Sequence, residues 1–454
     1  MKYLFFFASV LGILPAVVAL LCERSWIRWA VLGLFLPLIV FNSTAINFFS
    51  HELYRGTSRG IEISIIYIAA VVILAVLFIL GVVKRIFPDA GSRLYLIYFF
   101  CSLPSLYHAD QLMYSFFELW KMVMIYLVFL AVYYYLEYSK GDFDIFLYGI
   151  AIVVFCNFLQ IVLQHFRGIY QVRGTFPHQN SLAMYMLLAG LIFFSRYFNL
   201  CEGWKSRIFF LVFGMASVTL FRTYSRGAIA CYPLGGLVSL LCSIRYKLSM
   251  RKCYIIAFLL MFGIIGLAAF LPRVVERFQN APESSGQTRK NFAVAAVNMM
   301  KDVPLTGVGI NNWGIKINPP YNYSRHREAM HYKDDYKDGI VETVYLLVGA
   351  ECGIPCLLVF LLWIAYYWIS AFRLLRILHN TPYFYLPAGI LGGLTGILMQ
   401  SCLEWVLKQQ INFMFLITVF AFISYLNKHG RELGAGVIGK TCQGKENTDR
   451  KSVV

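Results

Sequence analysis

The sequence predicts an all-α, polytopic membrane protein with about 12 to 13 transmembrane helices and one long periplasmic loop. Of its 454 residues, 59% are hydrophobic and only 14% are charged, whereas a soluble domain carries roughly 25% charged residues to solvate its surface. Apolar stretches such as 63–83 and 254–271 approach the length that crosses a bilayer core. Basic residues lie in short clusters between these stretches, as the positive-inside rule describes.

The apolar segments delimit the predicted helices in order along the chain. The first segment follows Lys2 as in a signal sequence, but no small-residue cleavage site comes after it, so we expect a retained first helix or signal anchor. If one segment near the start is divided wrongly, twelve helices with both chain ends inside would result. The segments lie near 3–21, 28–42, 63–83, 92–107, 114–136, 144–164, 181–198, 207–221, 227–243, 254–271, 341–370, 385–402 and 411–426.

Loop charge sets the orientation and the division into domains. The basic residues of the tail 427–454 place it in the cytoplasm, and counting back places the loop 165–180, the turn 221–226 and the segment 272–340 on the periplasmic side. We expect N-terminal transmembrane helices in 1–150 and a functional core with its periplasmic loop in 151–426. The localisation that follows is multi-pass, with functional residues facing the periplasm.

Charge and cysteine content exclude two other classes of function. The net charge of +17 does not indicate nucleic-acid binding, because the basic residues are dispersed between apolar segments. Most of the cysteines lie inside apolar runs and predict small core residues. Cys352 and Cys356 approach zinc-ligand spacing, but no second pair completes a metal site or a disulfide framework.

Arginines mark two of the periplasmic connections. Arg173 lies in a polar loop before a helix whose predicted N-cap is Asn180 or Ser181, an arrangement suited to binding phosphate. Arg222 and Arg226 flank a tight turn between two apolar helices, where ionisable groups are costly and usually paired or functional. For all three arginines, contact with lipid headgroups is the alternative interpretation.

The long periplasmic segment contains further candidate residues. The stretch 287–301 predicts an amphipathic helix, because Phe292, Ala295, Ala296 and Met299 follow helical spacing. The Gly- and Asn-rich stretch 302–313 predicts either a structured turn or a sugar-contacting surface. The candidate general bases are His331, Glu342 and Glu351.

Acidic residues near the end of this segment raise the question of a metal site. Asp334, Asp335 and Asp338 have carboxylates of the kind that bind divalent cations. Lys333 and Lys337 are interleaved with them, so a solvated charge run is the better interpretation.

Four motifs follow one another in the second part of the chain: Arg173-Gly-Thr-Phe-Pro-His-Gln-Asn-Ser-Leu-Ala, Ser225-Arg-Gly-Ala, Pro304-Leu-Thr-Gly-Val-Gly-Ile-Asn-Asn, and Tyr345-Leu followed by Ala350-Glu-Cys-Gly-Ile-Pro. In this order they resemble the shared domain of O-antigen ligases and O-antigen polymerases, over roughly residues 150–425. The resemblance implies metal-independent, cofactor-free transfer of a glycan from undecaprenyl diphosphate, at the periplasmic face of the bacterial inner membrane. The acceptor would be a hydroxyl of lipid A–core or of another lipid-linked glycan, and the anomeric centre would be inverted.

The resemblance also implies roles for individual residues. Arg173 and Arg226, with Arg222 as a helper, would bind the donor diphosphate, which guanidiniums stabilise as it leaves. Further contacts to the glycan are expected from residues of the first and third motifs: His178, Asn180, Asn311, Asn312 and Trp313.

The chain departs from the ligase pattern at one position. Ligases of this family have a His-Asn pair just before the Tyr-Leu, where this chain has Glu342-Thr343. Glu342 occupies the position of the ligase histidine, which favours it as the general base. The ordinary pKa of an imidazole lies nearer to neutral pH, which favours His331 instead. We favour Glu342. The missing histidine favours a polymerase of O-antigen or exopolysaccharide over a ligase.

Two other classes of function stay open from sequence. A polytopic transporter or lipid-linked glycan flippase would be expected to show two related halves, which we do not find. Glu118 and Lys121 are the clear intramembrane charge pair, and their spacing lets them satisfy each other on one helix. A structural scaffold for polysaccharide assembly would have little use for Arg173 and Arg226 at matched depth.

Overall fold

Helices dominate the fold in a computed structural model of the chain. The structure describes residues 2–22, 26–39, 45–51, 54, 56–200, 203–246, 248–257, 261, 283–318, 320, 321, 323 and 339–449. The helices are α1 Lys2–Cys22, α2 Trp26–Gly33, α3 Ile65–Ile79, α4 Ala90–Ser102, α5 Leu112–Ser139, α6 Asp144–Phe166, α7 Gln179–Asn199, α8 Trp204–Arg222, α9 Arg226–Tyr246, α10 Glu283–Asp302, α11 Trp313–Lys316, α12 Val344–Leu378, α13 Tyr385–Gln400 and α14 Gln410–Asp449.

The predicted all-α membrane architecture is confirmed. Within the described residues, 8 helices are long and apolar enough to cross a membrane, namely α5 to α9 and α12 to α14. The predicted segment 28–42 is instead the short helix α2 followed by a 3₁₀ turn at Leu36–Ile39. Most of the predicted segment 254–271 lies outside the described residues.

A small β-hairpin interrupts the helices near the start. Strands β1 (Ala45–Ser50) and β2 (Gly60–Ser64) pair antiparallel, with Asn47 opposite Glu62. Most of these residues fall between the predicted apolar segments 28–42 and 63–83. The alternation of apolar and polar residues in β2 is the period-2 signal that a short strand requires.

Helix α7 lies at the centre of the second half of the bundle. It packs on α8, α9 and α13, and nearly all its residues from Ser181 to Phe198 are buried. Helix α14 packs on α5 and α12, which joins the first half of the bundle to the second.

Helix α12 is broken at Gly353, and the third motif fills the break. Gly353 has φ 82°, outside the helical region. Pro355 has no N–H, and the N–H of Ile354 donates to the carbonyl of Pro304 at 2.8 Å. The carbonyls of residues 350 and 351 are thereby freed, and they accept from the N–H groups of Val308 and Gly309 at 3.0 Å each. The backbone of the third motif therefore supplies the hydrogen bonds that the fourth motif lacks at the break in α12, which explains why the two motifs occur together.

Substituting alanine at this break is expected to destabilise the protein by roughly 1–3 kcal/mol. A Cβ on Gly353 would lie 2.5 Å from the Leu305 carbonyl oxygen, and one on Gly307 (φ 73°) would lie 2.4 Å from the Glu351 carbonyl oxygen. Gly214→Ala in α8 is the control, because nothing lies within 4 Å of the added methyl. Thermal unfolding in detergent measures the effect. Equal midpoints for Gly353→Ala and Gly214→Ala would contradict a rigid break.

The predicted amphipathic helix of the long loop is confirmed as α10. Phe292, Ala295, Ala296 and Met299 are buried and pack in one cluster with Trp313. This cluster holds α10 against the start of α12.

Candidate active site

Several helix termini meet at one end of the bundle, which we call the site end. The carboxyl ends of α6, α8 and α13 and the amino ends of α7, α9, α12 and α14 lie there. Arg222 contacts His165, the N–H of Val344 donates to the Ser401 carbonyl at 3.2 Å, and Ser181 donates to Gln409. Residues from all the predicted periplasmic connections are therefore brought to one face.

Buried amides of α6 hold the loop that carries Arg173. Oε1 of Gln164 accepts from the N–H groups of Arg173 and Gly174 at 3.0 Å each. Oδ1 of Asn157 accepts from the N–H of Thr175 at 3.0 Å. These bonds use the backbone of the loop, and the residue Arg173 is itself exposed. The loop therefore presents Arg173 from a fixed position.

His178, and not Asn180 or Ser181, is the N-cap of α7. Its Nδ1 accepts from the N–H of Asn180 at 3.2 Å. Burial lowers the pKa of His178, and the charge of nearby Arg173 lowers it as well. His178 is therefore neutral at physiological pH, with its second ring nitrogen protonated.

Arg222 and Arg226 lie on either side of a constrained turn. Tyr224 has φ 52°, which is uncommon for a residue with a side chain. Its ring stacks on Tyr170 with centroids 4.8 Å apart, which ties the turn to the Arg173 loop. The guanidinium of Arg222 lies 5.9 Å from the centre of the Tyr224 ring. Arg226 is the first residue of α9, where the positive end of the helix dipole adds to its charge.

A pair of carboxyl groups, Glu342 and Glu404, lies at the same site end. Arg289 of α10 is 3.7 Å from Glu342 and 3.5 Å from Glu404, and Asn180 forms a hydrogen bond with Glu404. Burial and then the charge of Glu342 raise the pKa of Glu404 to about 8, against the opposing charge of Arg289. Two carboxyl groups therefore share one guanidinium, and Glu404 retains its proton at neutral pH.

Sequence reasoning missed both Glu404 and Arg289. Glu404 is the one acidic residue between the predicted segments 385–402 and 411–426, and it lies in a connection on the predicted periplasmic side. Arg289 precedes Phe292 by three residues, so it lies at the border of the apolar face that predicted α10. The sequence shows each residue as an isolated charge, but it does not show that Arg289 contacts Glu342 and Glu404.

A buried ionic cluster underlies the carboxylate pair. The predicted pair of Lys121 and Glu118 is present at 2.6 Å, and Lys408 extends it, 3.2 Å from Glu118 and 3.9 Å from Glu351. Lys121 also donates to the carbonyls of Thr57 and Lys408 at 3.1 Å each. The cluster anchors the segment before α14. Glu351, a candidate base from sequence, is almost completely buried within it.

Asn311, Asn312 and Trp313 are fully buried. The Asn311 amide bonds to the backbone of residues 57, 58 and 114 at 2.7–2.9 Å, and the Asn312 amide donates to Ser115 at 2.9 Å. Trp313 packs in the α10 cluster. The prediction that these side chains form a sugar-contacting surface is corrected, because their polar groups bind the protein itself.

His331 and the acidic run at 334–338 lie outside the described residues. Of the two bases that sequence analysis compared, Glu342 is described, and it lies in the carboxylate pair. The choice between them stays a prediction.

Comparison with known families supports the resemblance found in the sequence. Residues 210–361 match the family model described as O-antigen ligase, Wzy_C. The matched stretch contains Arg222, Arg226, Arg289 and Glu342. No curated protein matches the chain.

Proposed function

We propose, from the premise that this chain belongs to the O-antigen ligase and polymerase superfamily, that it transfers a glycan from undecaprenyl diphosphate to an acceptor hydroxyl. One observation carries the proposal. Three arginines and a carboxylate pair, contributed by connections far apart in the sequence, lie at one end of a membrane-spanning bundle. Cations for a leaving diphosphate and a carboxylate for an incoming alcohol are the groups that this reaction needs.

Arg173, Arg226 and Arg222 have the donor-binding role in this proposal. When the bond between the anomeric carbon and the diphosphate oxygen breaks, its electron pair passes to the diphosphate. Preorganised guanidiniums stabilise that charge, and no metal ion is needed. His178, neutral and next to Arg173, is placed to donate a hydrogen bond to the same group or to the glycan.

Glu342 is the general base in this proposal. The acceptor oxygen forms its bond to the anomeric carbon from the face opposite the leaving group, and its proton passes to the carboxylate of Glu342. Inversion of the anomeric centre follows. Protonated Glu404 leaves Arg289 to balance the single charge of Glu342.

Charge distribution supports a periplasmic active site and a cytoplasmic C-terminus in the inner membrane. Basic clusters lie at the opposite end of the bundle from the site, in the connection that follows α9, in the last two turns of α12 and beside Lys428 in α14. In the 8 described membrane spans, the charged residues more than five residues from an end are Glu118, Lys121 and Glu351, and these belong to the buried ionic cluster. A continuous charged pathway, which the transporter alternative requires, is not supported by this distribution.

Deleting the gene in its source strain is expected to remove the polymeric glycan and to leave a lipid-linked intermediate. A polymerase would leave single lipid-linked repeat units, whereas a ligase would leave lipid-linked polymer, so extraction and sizing of the intermediate separates the two. We expect single units, because Glu342 replaces the ligase histidine.

Access to a periplasmic glycosidase tests the flippase alternative in the same strain. A flippase would leave the intermediate protected on the cytoplasmic leaflet, which would contradict the proposal. Unchanged polymer in the deletion strain would contradict it as well.

A further inference from the structure

A cavity of about 360 Å³ lies between the β-hairpin and the segment that precedes α14. We call it the hairpin cavity and define it by Ala45, Asn47, Glu62, Pro177, Trp405 and Gln409, which are among its lining residues. Its volume falls within the range of small-molecule sites, roughly 300–1,000 Å³. The donor and base roles proposed above do not use this space.

The lining has the chemistry that binds a sugar ring. The amides of Asn47 and Gln409 and the apolar face of the Trp405 indole line it. The hydroxyl groups of Thr57 and Ser58 donate to Glu118 at 2.6 Å and to the Phe117 carbonyl at 3.2 Å, so their oxygens can accept a hydrogen bond from a sugar. Burial raises the pKa of Glu62 to about 7, against the opposing charge of Lys121, so its carboxyl can also act as donor or acceptor at neutral pH. A polyprenyl chain offers no hydrogen-bonding groups to a lining of this polarity.

The position of the cavity favours the acceptor over the donor. The donor arginines lie on α8, α9 and the loop before α7. The hairpin cavity borders the start of α14 instead, and the hairpin packs on α5. Two lining residues connect it to the catalytic groups: Pro177 belongs to the Arg173 loop, and Trp405 directly follows Glu404.

We propose that the hairpin cavity binds a sugar ring of the acceptor glycan and directs the attacking hydroxyl toward the carboxylate pair. The inference rests on the proposed function, since it names the second substrate's site in the same reaction. None of the described residues that line the cavity comes from α8 or α9, so an acceptor held there reaches the carboxylate pair from a side other than that of Arg222 and Arg226. Inversion requires attack on the anomeric carbon from the face opposite the leaving group.

Two kinds of variant test the cavity. Ala45→Trp fills it without removing a polar group, and Asn47→Ala and Glu62→Ala each remove a hydrogen-bonding group. We expect transfer to fall roughly tenfold or more in each variant. Phe49→Ala is the control, because Phe49 lies on the same strand, is exposed and does not line the cavity. Transfer is measured with purified full-length protein and the lipid-linked glycan that accumulates in the deletion strain.

Stabilisation by undecaprenyl diphosphate separates acceptor from donor. A ligand that binds the folded protein raises its unfolding temperature, and we expect the three cavity variants to retain this rise.

Transfer at the wild-type rate in all three variants would overturn the acceptor site and leave the proposed function intact. Loss of the rise would also overturn it, because the cavity would then belong to the donor. If Ala45→Trp does not fold, the other two variants decide. Normal transfer by Arg226→Ala, with no rise in the wild type, would instead reject the proposed function.

Discussion

Replacing Arg226 with alanine is expected to lower glycan transfer about 100- to 1,000-fold while leaving the fold intact. Arg226 begins α9 at the site end, and the Cβ of a side chain at its neighbour Gly227 would lie 3.5 Å from Leu403, next to Glu404. In the proposed function, this guanidinium, held in place by a helix terminus, stabilises the charge that develops on the departing diphosphate. Arg173→Ala is expected to have a loss of similar size.

Lysine at the same position refines the result. Arg226→Lys keeps the charge but loses the planar pair of donors, so an intermediate loss is expected. Arg207→Ala is the matched control, because Arg207 is exposed at the opposite end of α8. Initial rates with the lipid-linked donor, together with unfolding temperatures, provide the measurement. If transfer survives both Arg173→Ala and Arg226→Ala, the donor-site assignment is wrong.

Glu342→Gln is expected to lower transfer by roughly 100- to 10,000-fold, because the incoming hydroxyl loses its proton acceptor. Glu404→Gln is expected to cost less than about tenfold at pH 7, since the amide resembles the protonated carboxyl that a pKa of about 8 implies. Glu432→Gln controls for loss of a carboxylate, because Glu432 is exposed, with 81% of its side chain accessible, and contacts His429 near the predicted cytoplasmic end of α14.

The dependence of transfer on pH distinguishes the roles of the two carboxyl groups. Below pH 8 Glu404 is protonated, and above it a second negative charge appears beside Glu342 and the donor diphosphate. Wild-type transfer is therefore expected to fall as pH rises through about 8, and Glu404→Gln is expected to remove that fall. A rise through pH 8 in the wild type, with an inactive Glu404→Gln, would identify Glu404 as the base. Full activity of Glu342→Gln across the range would exclude Glu342.

Local sequence patterns predicted those parts of the protein that depend on neighbouring residues. The helical spacing of Phe292, Ala295, Ala296 and Met299 predicted α10. The spacing of three positions between Glu118 and Lys121 predicted that they form an ion pair on one helix. Asn311 and Asn312 show the limit of such reasoning. A Gly- and Asn-rich stretch fits both a binding loop and a structural turn, and only burial showed that both amides bond within the protein.

The sequence by itself determined that the chain is a multi-pass membrane protein. It also determined that Arg173, Arg222 and Arg226 belong to connections on one predicted side. Hydropathy and charge are properties of consecutive residues, so they can be read without knowing how helices pack. Only the tertiary structure placed Glu404 next to Glu342, and Arg289 between them, because the ends of α10, α12 and α13 must first meet. The raised pKa of Glu404 follows from burial and from a neighbour far away in the chain, and neither is encoded locally.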